Sequence, residues 1–237
     1  MILVLWDIDR TLVYTGDTDR LVYRELFEEV VGRPAERLPE RGTGVTMPLA
    51  AKELLRANAV EPERIEELAQ HIVQRMPEQL ALHHRELVRT GQVMPGARAA
   101  LAAVQQDSRF VPTVVTGNLR GSAEVKLRTF ELDEYLDLDI GGYASEDPHR
   151  PALVRVAQEK ASARYRQVFA KHSTVIIGDS LEDVRTGREG GAHVIGVASG
   201  TNSADALRCA GASHVISDLT DSQGLLSLIG QVSAAPE

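Results

Sequence analysis

Asp7 and Asp9 stand one residue apart at the end of the apolar run from Met1 to Trp6. Two carboxylates so close at a strand end repel one another and lose hydration, so a cation is expected between them. Oxygen donors of this kind suit a hard divalent ion such as magnesium, which keeps several waters and takes one or two protein carboxylates together with phosphate oxygens. Asp179 and Asp183 follow a second apolar run, Thr174 to Ile177, and flank Ser180-Leu181-Glu182. The four acids therefore suit metal-assisted chemistry on a phosphorylated molecule.

Acids so far apart in the chain need a scaffold that gathers them. Residues 1–6, 110–115, 174–177 and 193–197 read as short buried strands, with a further one near 214–217. Small and polar residues follow three of them: Thr116-Gly117-Asn118, Gly178-Asp179 and Ala198-Ser199-Gly200. Helical patterns lie between, at 96–106, 121–129, 151–167, 181–189 and 203–210. This alternation predicts an α/β fold, a doubly wound parallel sheet with helices on both faces, whose ligands bind at the carboxyl ends of the strands.

Residues 17 to 91 break the rhythm, with helical patterns and no convincing strand. Helices are expected at 17–31, 46–57, 62–75 and 77–89, interrupted at Gly32-Arg33-Pro34, Val60-Glu61-Pro62 and Met76-Pro77. The expected organisation is a core of residues 1–14 and 94–237 with an all-helical cap subdomain of 15–93. Two linkers near 13–17 and 91–95 would form a hinge. The small polar tail, 232–237, should fray.

Asp7-Ile8-Asp9-Arg10-Thr11, Thr116-Gly117-Asn118, Arg150 and Gly178-Asp179-Ser180-Leu181-Glu182-Asp183 resemble the four ordered motifs of the haloacid dehalogenase superfamily. The helical insertion after the first motif is similar to that of its phosphoglycolate phosphatase and β-phosphoglucomutase branch. The resemblance implies that Asp7 attacks phosphorus to give an aspartyl-phosphate, and that Asp9 protonates the leaving oxygen and then activates water. An unperturbed aspartate has a pKa of about 3.9, so Asp7 is expected to be ionised without help. The resemblance also implies magnesium held by the side chains of Asp7 and Asp179 and the backbone carbonyl of Asp9, with Asp183 close by. Thr116 and the amides of Gly117 and Asn118 would cradle the phosphoryl group.

Two positions depart from the family pattern. Arg150 stands where a lysine is usual, and its planar fork is not equivalent to a point charge; Lys126 is a second candidate for that role. Arg10 stands where glycine is usual, and its side chain either reaches a substrate anion or lies in solvent. Substrate-selecting cap residues are expected around Arg41 to Thr46 and the first cap helix, including Arg20 and Arg24. Asp9 favours phosphoryl transfer over carbon-halogen cleavage, because the dehalogenases lack an acid there.

The 34 acidic and 26 basic residues give a net charge of -8, which argues against a nucleic-acid partner and leaves a small phosphorylated metabolite open. No apolar run approaches the ~18 residues that cross a bilayer, so no membrane partner is expected. The single cysteine, Cys209, makes a cytoplasmic location the default. Taken singly, Asp179 to Asp183 reads equally as a helix cap, and Thr116-Gly117-Asn118 as a turn. His83 and His84 lack a third ligand and read as a solvated or interhelical pair. A phosphomutase and a phosphate-binding scaffold are the alternatives to a phosphatase, and oligomeric state is open.

Overall fold

The computed structural model describes residues 1–39, 44–200 and 202–232. Its first strand, β1 (Ile2–Trp6), is buried on both sides. Leu3 and Leu5 join an apolar cluster with Val111, Ile176 and Val194, whereas Val4 and Trp6 join another with Val114, Ile177 and Ile195. A strand covered on both faces has no polar side to alternate with, which is why it reads as a continuous apolar run.

The chain then passes through β2 (Val13–Tyr14), α1 (Thr18–Val31), α2 (Met47–Ala57), α3 (Pro62–Leu82), α4 (His84–Thr90) and β3 (Gln92–Val93). It continues through α5 (Ala97–Gln106), β4 (Phe110–Thr116), α6 (Arg120–Thr129), β5 (Gly142–Tyr143), α7 (Arg150–Tyr165) and β6 (Thr174–Gly178). Last come α8 (Leu181–Gly190), β7 (His193–Val197), α9 (Ala204–Ala210), β8 (His214–Ile216) and α10 (Ser222–Val232).

Among the described residues, six strands pair in the order β5-β4-β1-β6-β7-β8, all parallel. The doubly wound sheet expected from the alternation is present. From β1 the connections run to one side through β4 and β5, and to the other through β6, β7 and β8. Strand order thus reverses at β1, and a crevice opens outside its carboxyl end. Asp7 is the next residue.

Helices α1, α2 and α3 bury an apolar cluster of their own, with Leu26, Phe27, Leu54, Leu55 and Ile72 at its centre and Leu119 beside α6 closing it. The chain enters and leaves this helical segment through β2 and β3, which pair antiparallel with Val13 opposite Val93.

Several local expectations are corrected. No break occurs at Met76-Pro77, because α3 runs through Pro77 to Leu82 and turns only at His83. Proline removes one helical hydrogen bond. Ile72, Met76 and Leu80 lie on one buried stripe across it, and their burial offsets that loss. The two-residue strands β2, β3 and β5 and the helix α10 were not expected. Arg41 to Thr43 and residues 233–237 of the tail lie outside the described residues.

Candidate active site

Register places the acids. Trp6 is opposite Val114 of β4 and Ile177 of β6, so Asp7 leaves β1 level with Val115 and Gly178, next to the ends of β4 at Thr116 and β6 at Gly178. The Asp7 amide donates to the Ile177 carbonyl at 2.9 Å, which brings Asp7 beside Gly178 and Asp179. Asp7, Asp179 and Asp183 each offer a carboxylate oxygen within 4.8 Å of the others, and all three are buried. The Thr11 hydroxyl bridges two of them, 3.3 Å from Asp7 Oδ2 and 3.2 Å from Asp179 Oδ1.

Asp183 has two duties. Ser180 is the N-cap of α8; its hydroxyl accepts from the Asp183 amide at 3.2 Å, and its own amide donates to Asp183 Oδ2 at 2.9 Å. This reciprocal box satisfies two amides that a helix start leaves unpaired. A cap is present, but on Ser180 and not on Asp179, while Asp183 Oδ1 remains available and takes Arg150.

Arg150 opens α7, with Pro151 next in the first turn. Its Nη2 donates to Asp7 Oδ1 at 2.6 Å and also to Asp183, and its Nη1 donates to the Gly44 carbonyl at 2.7 Å. One planar group thus spans the acids and the segment leading into α2. Only 2 % of the Arg150 side chain is exposed, and its Nε has no hydrogen-bond partner.

The Asp7 carboxyl does not keep the ordinary aspartate value expected from its residue type. Burial and then the charge of Asp183 push its carboxyl well above the usual carboxylate range; Asp179 and Asp9 add to this, and Arg150 opposes it. Three acids share the site with one guanidinium. A divalent cation fits here: the donors are hard oxygens, close together and buried, and a cation among them would favour their ionised forms.

The Asp9 carboxylate turns away from the other three. Asn118 Nδ2 donates to its Oδ2 at 2.7 Å, and Lys126 Nζ lies 2.8 Å from Oδ1. Asn118 also donates to the Thr116 hydroxyl, from its side chain at 2.8 Å and from its amide at 3.2 Å. The Asn118 amide is thus engaged within the loop, on the Thr116 hydroxyl. Gly117 is needed for a close approach, since a Cβ there would meet the Val45 carbonyl oxygen at 3.0 Å. Across the same contact the Met47 amide donates to the Gly117 carbonyl at 2.8 Å.

Asp7, Asp9, Thr116 and Arg150 line one cavity of about 170 Å³, whose other wall includes Tyr23 and Met47. Arg10 also lines it. Its backbone is left-handed, with φ 64°, and its guanidinium lies 5.3 Å from the centre of the Tyr14 ring. Arg20 lines the cavity with Nη1 donating to the Pro39 carbonyl, whereas Arg24 is not among the lining residues. Burial, Asp19 and Asp9 hold the Tyr23 phenol above its usual value, so it stays a donor at the wall.

The site residues overlooked in the sequence are Thr11, which was quoted without a role, and Asp19. Of the two candidates for the position where a lysine is usual, Arg150 meets Asp7, whereas the Lys126 ammonium meets Asp9. Its burial was signalled by Ser122, Ala123 and Leu127, which define the inward face of α6.

The model of the haloacid dehalogenase-like hydrolase family matches residues 4–188, and the chain belongs to that family. A curated relative, "Probable phosphatase IndB" of Dickeya dadantii (strain 3937), is 24% identical over 237 residues, covering 99% of this chain and 97% of that protein. Among solved structures, a hydrolase from Pseudomonas syringae shares the fold with a TM-score of 0.71 and 20% identity, over 97% of this chain and 99% of that one. CbbY from Rhodobacter sphaeroides, crystallised in complex with phosphate, shares it with a TM-score of 0.69 and 18% identity, over 93% of this chain and 96% of the other. No helix of the described residues is long and apolar enough to cross a membrane.

Proposed function

We propose that this chain is a magnesium-dependent phosphatase that hydrolyses a small phosphorylated metabolite through an aspartyl-phosphate on Asp7. The observation that carries this reading is the meeting within 4.8 Å of Asp7 and Asp179, which follow β1 and β6, and Asp183 in the first turn of α8, with Asp9 lining the same cavity.

An Asp7 carboxylate oxygen forms a bond to phosphorus, and the bond from phosphorus to the ester oxygen breaks. The departing oxygen takes its electron pair and receives a proton from Asp9. Water then attacks the phosphoryl group, its proton passes to Asp9, and the bond to Asp7 breaks to release inorganic phosphate. Arg150 and the Thr116 hydroxyl hold phosphoryl oxygens, with the Gly117 and Asn118 amides reorienting toward them; Arg10 meets a further anionic or planar part of the substrate from the cavity wall. The side chains of Asp7 and Asp179 and the Asp9 carbonyl would hold magnesium, with Asp183 alongside. That ion would supply charge neutralisation for the carboxylates and phosphoryl oxygens.

Residues 15–93 act as a cap over a core of 1–14 and 94–237. Their separate apolar cluster and the paired crossings at β2 and β3 support this division. The cytoplasm is the proposed location. Release of inorganic phosphate from p-nitrophenyl phosphate, lost in Asp7→Asn, tests the reading. Return of the phosphoryl group to substrate as the main outcome would favour a mutase, and no turnover with retained phosphate binding would favour a scaffold.

A further inference from the structure

Lys126 is wholly buried, yet it lies on a helix face that otherwise carries small and apolar residues. Taking an ammonium out of water is costly even after relaxation, so packing alone would favour methionine or leucine at this place. The ammonium has acceptors on three residues, matching its three protons: the Asp9 carboxylate, with Oδ1 at 2.8 Å and Oδ2 at 3.1 Å, Asn118 Oδ1 at 2.8 Å and Asp19 Oδ2 at 2.9 Å. Asp19 is itself held by the Thr15 hydroxyl at 2.8 Å.

This arrangement leaves Asp9 one direction in which to act. Lys126 Nζ and Asn118 Nδ2 are both donors, so neither can accept a proton from the Asp9 carboxyl. The acceptance of Lys126 by Asn118 Oδ1 fixes which end of that amide faces Asp9. The Asp9 side chain is 39% exposed, and the open side is the cavity. A proton carried by Asp9 therefore points toward bound ester.

We infer that Lys126 is a positioning residue that holds Asp9 in the one orientation from which it can protonate the leaving oxygen. It does so while joining Asp9 to Asp19 in the first turn of α1. Asp19 and Lys126 touch no reacting atom in this scheme; they act through Asp9. The inference rests on the phosphatase reading and adds to it a requirement for a buried cation ten residues beyond Thr116.

The test compares kcat/KM for p-nitrophenyl phosphate, whose phenolate leaves without a proton, with that for glycerol 2-phosphate, whose alkoxide does not. Positioned proton transfer contributes about 10²- to 10⁴-fold. Lys126→Met should lose about 10²-fold on glycerol 2-phosphate and only a few-fold on p-nitrophenyl phosphate, and should cost nothing further in an Asp9→Asn background. Asp19→Asn, which keeps the ammonium paired with Asp9, should bias the ratio in the same direction by a smaller factor, and it carries the test if Lys126→Met does not fold. Equal losses on both esters, as a merely structural lysine would give, would overturn the inference while leaving the phosphatase reading intact. A wild-type protein that releases phosphate from neither ester would overturn both.

Discussion

Arg150 Nη2 lies 2.6 Å from Asp7 Oδ1 and the same nitrogen bonds Asp183, so one buried guanidinium joins the acid after β1 to an acid in the first turn of α8. Removing one member of a buried pair strands the other, at a cost of about 3–5 kcal/mol. Arg150→Met should lower stability by about that amount in urea unfolding with EDTA present. Added magnesium should raise the stability of the variant more than that of the wild type, because it replaces the cation that the stranded carboxylates have lost. Arg150→Lys should keep most of the stability but lose turnover, since one ammonium cannot reach Asp7, Asp183 and Gly44 together.

Substitution of the proposed nucleophile separates fold from chemistry. Asp7→Asn should abolish phosphate release, yet the melting temperature in EDTA should stay within a few degrees of wild type, because the change removes a carboxyl that burial and Asp183 already disfavour as an anion. The magnesium-induced rise in melting temperature should shrink. Wild-type turnover in this variant would refute the assignment.

Metal removal gives a third check. EDTA should silence phosphate release and magnesium should restore it. Magnesium at about 100 times its dissociation constant should stabilise the wild type by about 2.7 kcal/mol in urea unfolding. Full activity after thorough chelation would exclude the metal role proposed for Asp7 and Asp179.

The strand-end acids were legible because β1 and β6 are covered on both faces. Each reads as an apolar run that stops abruptly at Asp7 or Gly178. What escaped depends on tertiary placement. The upward shift of the Asp7 carboxyl comes first from burial and then from Asp183, which its own neighbours in the chain do not reveal. The path of α3 through Pro77 is decided by a buried stripe that outweighs the local cost. The contact of Lys126 with Asp9 spans 117 residues and depends on how α6 seats against the loop after β1, which no spacing along the chain encodes. The two-residue strands β2 and β3 lack enough length for a pattern.

Arg10 carries its own prediction. Left-handed backbone costs a residue with a Cβ about 1–2 kcal/mol, which glycine avoids. Arg10→Gly should therefore not reduce stability, and melting should show an unchanged or slightly raised midpoint. If its guanidinium meets a second anionic group, KM should rise at least several-fold for a bisphosphate and hardly change for p-nitrophenyl phosphate. Equal KM changes for both would assign Arg10 to the loop alone.

His193 opens β7 and sets a pH dependence of stability away from the site. Burial first, then the charges of Lys171 and His172, hold its imidazole below the usual value of 6.5. The unfolded chain therefore binds a proton that the folded chain resists, and between the unfolded pKa and the lower folded one stability falls as pH falls. Above 6.5 both states are neutral at this position and the effect vanishes. His193→Asn should thus gain on the wild type as pH is lowered below 6.5, whatever its offset at pH 8. Melting temperatures of the two proteins, measured side by side across that range in EDTA, should converge or cross on acidification; parallel curves would show that His193 contributes nothing to the acid sensitivity of the fold.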